Sequence, residues 1–390
     1  MRARALAGTL LVMVGIAAPV HAADVSRNAP PMLSARAAIL MDAQNGTLLY
    51  EKNAFRQVDP ASTTKIMTAI LVIEHGGLNQ IVTVSRRADG TSGSSLHIHH
   101  GQQYTRLDLL RGMLLRSGND ASVALAESEA GSITRFVAEM NVKAQQLGAF
   151  NTAYENTHGL TRPGHYTSAY DLALITRAAL RLAVFQEIVR SQELEIRELH
   201  HRSARTISNT NQLLYGFAGA DGVKTGTTAA AGKCVVASAT RDGRQLIAVI
   251  LNSQHRWQDA QDLLNWGFVA WNRVNVLKSG QTVAIRPVQR GVQAEIALVS
   301  HQTASFDLMP GDPYAVLVVA PVALRAPLVS SRAVGMATVA VGGQPVQRVA
   351  LFPAHSVRAR HSPQTFWHWI RNRLVNRGNW DDHSATIASG

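Results

Sequence analysis

The sequence predicts an α+β fold, an antiparallel sheet with helices packed on it, followed by a smaller C-terminal all-β domain. Three observations predict it. Apolar runs with hairpin turns stand at both ends of a long helix-periodic block, so strands from far apart in the chain must meet across that block. Beyond Lys278-Ser279-Gly280 the helical periodicity stops, and Val, Ala and Thr runs broken by Gly and Pro continue to about Pro353. The 390 residues are 46% hydrophobic and only 16% charged, enough apolar material for two cores and too much for general disorder.

Taken in order, the first 22 residues carry Arg2 and Arg4, an apolar run over 6–20 and a Val20-His21-Ala22 end with small residues where a signal peptidase reads. They are expected to be a cleaved signal peptide, too short and too soon interrupted by Pro19 and His21 to span a bilayer. The mature chain is then exported across the cytoplasmic membrane to the periplasmic or cell-wall space. Its formal charge of +12 falls to +10 with the leader, which fits anionic surroundings such as acidic lipid or wall polymer. Nucleic acid is not an expected partner there. The single Cys234 excludes an intrachain disulfide and a cysteine-based metal framework.

Residues 23–34 read as a linker. Residues 37–41 and 47–50 are apolar runs joined by a turn containing Asn45-Gly46, a strong hairpin signal. From Pro60 to about Leu182 the period becomes helical, with Ile66, Ala69, Ile70 and Ile73, then Leu107, Leu110 and Leu114, then Ile133, Phe136, Val137 and Met140. Residues 234–239 and 246–251 flank Arg241-Asp242-Gly243-Arg244 as a second hairpin. The expected domains are therefore 35–278 and a β domain over 279–355. Within 363–390, Phe366, Trp367, Trp369, Ile370 and Leu374 alternate with Arg371, Arg373 and Arg377, so residues 363–378 are a candidate for peripheral membrane contact. Arg373 and Arg377 fall close to Phe366 on a helical wheel, which leaves a helix docked on the β domain, or a loose tail, as the alternative.

Three short stretches carry chemistry. In Asp59-Pro60-Ala61-Ser62-Thr63-Thr64-Lys65, Asp59 suits an N-cap and Pro60 the first helical position, so Ser62 falls in the first turn. Lys65, three residues on, projects from the same face and its amine can reach the Ser62 hydroxyl. A desolvated lysine with a lowered pKa can take the proton that makes serine a nucleophile. The spacing alone recurs by chance, and a surface lysine explains it equally well. Arg116-Ser117-Gly118-Asn119-Asp120 is an inter-helix turn, made one by Gly118, and by itself it reads as capping. Asp221-Gly222-Val223-Lys224-Thr225-Gly226-Thr227 offers a cationic, hydroxyl-lined rim on an edge strand, suited to a carboxylate.

Together the three occur in the order Ser-x-x-Lys, Ser-x-Asn, Lys-Thr-Gly, at a helix start, a turn and a strand. This is the signature of penicillin-recognising serine enzymes, with Gly118 where the pattern commonly has Asp. The chain resembles a low-molecular-mass penicillin-binding protein of the D-alanyl-D-alanine carboxypeptidase family over most of residues 30–350. Ala38-Ile39-Leu40-Met41-Asp42-Ala43, Gly46 and Leu49-Tyr50-Glu51-Lys52-Asn53 resemble the family's opening hairpin. Asn156-Thr157-His158-Gly159-Leu160 resembles its Asn-Pro-His-Gly-Leu loop, with Thr157 in place of proline. Arg256, ten residues before Trp266-Gly267-Phe268, stands where the family carries an arginine that supports carboxylate recognition.

The resemblance implies a serine peptidase that removes the terminal D-alanine from peptidoglycan stem peptides through an acyl-enzyme at Ser62 and is inhibited by β-lactams. It implies Lys65 as proton acceptor, Ser117 as relay to the leaving amine and Asn119 as the group positioning Lys65 and substrate. Lys224, Thr225, Gly226, Thr227 and Arg256 would bind the substrate, with the backbone amides of Ser62 and Thr227 as oxyanion hole. No metal and no organic cofactor is implied. A D,D-endopeptidase would use the same residues, and a non-catalytic penicillin-binding scaffold would keep the fold; the more than 100 residues after Gly280 favour the carboxypeptidase. The absence of a Glu-x-x-Leu-Asn stretch between Ser117 and Lys224 counts against a β-lactamase.

Other residues have plainer readings. His97 and His99 would share one face if they lay on a strand, but lack the further ligands a metal needs, as do His200 and His201. His158 is expected to be structural and not a general base, and Cys234 to pack on its strand.

Overall fold

The computed structural model describes residues 12–15, 29–201 and 204–360. Most of the expected leader and the whole expected amphipathic segment at 363–390 lie outside the described residues. The chain forms two compact units, one of Ala22–Asn272 and one of Arg273–Gly390 together with the N-terminal segment.

In the first unit the predicted hairpin forms, with β1 at Ala37–Asp42 and β2 at Leu48–Lys52. Three later strands, β3 at Ala220–Thr228, β4 at Gly232–Arg241 and β5 at Arg244–Ser253, complete an antiparallel sheet in the order β2-β1-β5-β4-β3. Every residue of β1 is buried, as expected of a strand covered on both faces. Strand alternation divides its side chains: Ile39 and Met41 join the core of the helical block, while Leu40 and Leu246 lie beneath Gly267 of the helix Arg256–Ala270. The sheet thus has helices on each side, and β3, with its Lys-Thr-Gly, is left on an edge.

The helical block centres on α1 (Lys65–His75), whose residues from Lys65 to Val72 are all buried. It is packed by α2 (Arg106–Leu115), α3 (Asn119–Ala130) and the helices Ile133–Gln146, Ala169–Ala179 and Ala183–Arg190. A helix surrounded in this way must be apolar nearly all round, which explains its sequence and makes the buried Lys65 conspicuous. It stops at Gly76, whose φ of 78° few other residues adopt comfortably. Thr105, Ser132 and Ser168 cap three of the helices through their hydroxyls.

Within the block expected to be helical, Ile81–Thr83 and Gln103–Thr105 pair as a short ladder. Three-residue strands are too short to leave a period-two pattern. The strand assumed for His97 and His99 does not form: residues 96–99 are irregular and His97 has a φ of 58°, so the shared-face argument fails.

The second unit holds a seven-stranded sheet ordered Val12–Gly15, Tyr314–Val319, Gly335–Val341, Gln344–Pro353, Glu295–Ser300, Thr282–Gln289 and Leu324–Arg325. Asn272–Leu277 pairs separately with Ala304–Leu308. Its own core gathers Leu298, Ala304, Ala337, Val339 and Leu351. No helix among the described residues is long and apolar enough to cross a membrane.

Candidate active site

Ser62 lies in a 3-10 turn, Ala61–Thr64, that runs directly into α1. This corrects the expected helix start. Asp59 is not the cap; the turn is tied instead by Thr63 Oγ1 donating to Pro60 O (2.6 Å) and Thr64 Oγ1 donating to Ala61 O (2.9 Å). Thr64 Oγ1 also lies 3.0 Å from His165 Nε2, and His165 Nδ1 accepts from Glu155 N, so the imidazole is a buried brace behind the nucleophile. Burial pulls the His165 pKa down to about 4, which keeps the ring neutral. Ser62 is half-buried, while its neighbours Ala61 and Thr63 are fully covered.

Lys65 Nζ is 3.0 Å from Ser62 Oγ, 2.6 Å from Asn119 Oδ1 and 2.7 Å from His158 O. The last two atoms can only accept. A neutral amine that donates its two hydrogens to them has its lone pair left for the Ser62 hydroxyl proton. Burial, and after it the positive charge of Lys224, holds Lys65 well below the ordinary lysine range, with Asp120 partly opposing. Geometry and electrostatics therefore push in the same direction, toward the uncharged amine beside Ser62.

The His158 carbonyl is a functional group that the sequence did not announce, since any residue would supply it. The loop presents it because Asn156 Oδ1 accepts from the amides of His158 and Gly159, and Thr157 O receives the hydroxyls of Thr68 and Ser122. Thr157 adds an acceptor for Ser122 through Oγ1 (2.9 Å), a tie that proline could not make. The His158 ring is held down to about 3 by burial and by the nearby Lys65. Gly159, at φ +93°, passes so near the 3-10 turn that a Cβ would fall 1.8 Å from Ala61 O.

Ser117 and Asn119 sit between α2 and α3. The residue in the left-handed region is Ser117 (φ 63°), not Gly118. Gly118 is required for space, because a Cβ there would lie 2.7 Å from Asp120 Oδ1 and 3.2 Å from Leu96 N. Ser117 is buried and its Oγ has no hydrogen-bond partner, which leaves it available for a proton relay. Asn119 is fixed by three bonds: Oδ1 to Lys65, Nδ2 donating to Ser92 O (2.7 Å) and its amide donating to Ser94 O (2.7 Å).

β3 brings Lys224, Thr225, Gly226 and Thr227 to the same cleft. A Cβ on Gly226 would stand 3.0 Å from Ser62 N, so this strand runs against the nucleophile's own amide. Lys224 is buried, donates to Thr225 O (3.1 Å), and is brought down to about 7 by burial and by Arg256. Arg256, at the start of α4 (Arg256–Ala270), donates through Nη1 to Thr227 Oγ1 (2.9 Å) and Gly226 O (3.1 Å). Thr210 Oγ1 lies 2.9 Å from Thr225 Oγ1, a contact with no signal in the sequence. Eight of the nine candidate residues are thus linked by contacts or charge, and Ser117 adjoins them two residues before Asn119.

Beside β3, Cys234 pairs with Gly226 and its carbonyl accepts from Arg256 Nη1 (3.3 Å). Cys234 is buried on β4, and desolvation raises its thiol to about 11. His99 pairs with Asp89. No group of three or more His, Cys, Asp or Glu among the described residues is arranged to hold a metal ion.

The family model of D-alanyl-D-alanine carboxypeptidase, Peptidase_S11, matches residues 24–255. The chain is 35% identical to D-alanyl-D-alanine carboxypeptidase DacF of Bacillus subtilis over 297 residues, covering 74% of this chain and 76% of that one. It is 33% identical to D-alanyl-D-alanine carboxypeptidase DacA of Escherichia coli over 335 residues, 82% of each. Among solved structures it is similar to penicillin-binding protein 5 of Haemophilus influenzae, with a TM-score of 0.68 and 29% identity over 85% of this chain and 99% of that one. It is also similar to the Streptomyces K15 DD-transpeptidase, with a TM-score of 0.58 and 32% identity over 62% of this chain and 99% of that one.

Proposed function

This chain belongs to the D-alanyl-D-alanine carboxypeptidase family of serine peptidases, and on that premise we propose that it removes the terminal D-alanine from peptidoglycan stem peptides through an acyl-enzyme at Ser62. The observation that carries the reading is the Lys65 amine, buried, lowered in pKa and shared among Ser62 Oγ, Asn119 Oδ1 and His158 O.

Lys65 Nζ takes the Ser62 proton as Oγ attacks the carbonyl between the two D-alanines. The amides of Ser62 and Thr227 receive the developing oxyanion, which the close approach of Gly226 to Ser62 N makes feasible. Ser117 Oγ passes a proton to the leaving amine, and D-alanine departs. Lys224, Thr225 and Arg256 hold its carboxylate; that charge offsets the repulsion between the two cations and draws Lys224 back to its protonated form. Water then attacks the ester and releases the shortened peptide. A β-lactam enters by the same attack.

The unit of Ala22–Asn272 carries this chemistry, and the unit that begins at Arg273 has a separate role. The leader over 1–22 directs export to the periplasmic or cell-wall space, and residues 363–378 provide a peripheral membrane contact. The deciding experiment incubates the mature protein with a pentapeptide ending in D-Ala-D-Ala and with a labelled penicillin. Free D-alanine and a covalent adduct on Ser62, both lost in Ser62→Ala, are expected; full turnover in that variant rejects the reading.

A further inference from the structure

We propose that a groove beside the catalytic cleft, lined by His97, Arg116 and Arg205, binds a carboxylate carried by the acyl part of the substrate. The proposal rests on the carboxypeptidase reading and adds a substrate preference to it. The groove has a volume of about 260 Å³ and lies between Ser95–His97, Arg116 and residues 205–208.

Its walls end at the catalytic groups. Arg116 directly precedes Ser117, and the loop carrying His97 is fastened to Asn119 by the bonds to Ser92 O and Ser94 O. The opposite wall, strand Arg205–Ser208, leads within two residues to Thr210, which touches Thr225. The leaving D-alanine has one carboxylate, already assigned to Lys224, Thr225 and Arg256. A second anion reaching this groove therefore belongs to the other side of the scissile bond.

The lining suits an anion. Arg116, Arg205 and His97 are exposed, and among the described residues neither arginine has an acidic partner. Arg205 Nη2 donates to Leu96 O (2.7 Å), which holds the guanidinium at the groove; among the described residues its other N–H groups have no hydrogen-bond partner. His97 is kept in place by its amide donating to Ser95 Oγ (2.8 Å). Of the acids nearby, Asp120 receives Leu96 N and Ser95 Oγ, Glu198 receives the amides of Gln103 and His200, and Glu193 receives Ser208 Oγ, while Glu195 stands across the ladder from Thr206. Two guanidinium forks on one groove match the planar, two-oxygen geometry of a carboxylate.

The test compares two synthetic donors ending in D-Ala-D-Ala that differ only in the preceding residue, 2,6-diaminopimelate with its free distal carboxylate or lysine without it. The wild type is expected to show roughly fivefold higher kcat/KM for the carboxylate donor, the scale of a partly exposed charged contact. That ratio should fall toward one in Arg116→Gln and Arg205→Gln, invert in Arg116→Glu, and shrink in high salt. Penicillin acylation at Ser62 checks that each variant is folded, and Arg116, being exposed on a turn, carries the test if Arg205→Gln is unstable. Equal kcat/KM in the wild type, or a preference that survives both substitutions, overturns the subsite while release of D-alanine from the lysine donor still supports the peptidase reading. Release from neither donor overturns both.

Discussion

Lys65 Nζ stands 2.6 Å from Asn119 Oδ1, and the acceptor is an uncharged amide oxygen whose partner Nδ2 donates to Ser92 O. That lack of charge decides the protonation of the base. In Asn119→Asp a full negative charge beside Lys65 restores its ammonium form, and proton abstraction at neutral pH is lost. Acylation by labelled penicillin should drop about 100-fold or more near neutrality and recover in part as pH rises. A pH profile parallel to that of the wild type would mean that Lys65 is not the base.

Lys224 titrates at about 7 in the fold, against 10.5 for an ordinary lysine. Between these values the native state releases a proton that the unfolded chain retains, so stability rises with pH across that window and the burial cost is fully present below it. Lys224→Met removes the cost. Its Tm gain should be largest near pH 6 and shrink steadily toward about pH 10, while turnover is abolished throughout. A gain independent of pH, or a loss, would contradict the burial argument.

Gly159→Ala sets a methyl group against the Ala61 carbonyl and within 2.9 Å of Ser62 N, at a φ of +93°. The strain, of order 1–3 kcal/mol, must be relieved by moving either the loop or the nucleophile's turn. Lower Tm together with acylation slowed more than tenfold is the expected result. Wild-type acylation in a destabilised variant would show that the loop yields and the turn does not.

Asp120 accepts from Leu96 N and Ser95 Oγ at 2.9 and 2.6 Å and, more distantly, from Ile98 N at 3.3 Å. Asp120→Asn turns one acceptor into a donor facing donors, costing about 1–3 kcal/mol. Hydrogen exchange should accelerate over residues 92–98, and Asn119, tied to that loop, should lose catalytic efficiency with it. Unchanged exchange there would assign the loop's order to other contacts.

The sheet was legible because its strands are buried on both faces or flanked by Asx-Gly turns, and the three motifs because their residue types are costly to bury without a purpose. Lys65 shows this best: it interrupts an otherwise apolar helix. Groups supplied by the backbone left no trace, the His158 carbonyl among them, since no side chain encodes it. Capping chemistry misled at Asp59, where Thr63 and Thr64 hydroxyls close the turn instead. At the inter-helix turn the sequence points to Gly118 as the turn-maker, yet Ser117 takes the left-handed backbone and Gly118 is needed for space, because crowding by Leu96 and Asp120 is invisible along the chain.

The meeting of the Ser62 turn with the Lys-Thr-Gly strand joins two layers that share no covalent neighbour over some 160 positions. Warming or mild denaturant that parts these layers by an ångström would silence the enzyme while helices and sheet each stay whole. Antibiotic labelling of this chain is accordingly a more sensitive thermometer of the seam than any spectrum of its secondary structure.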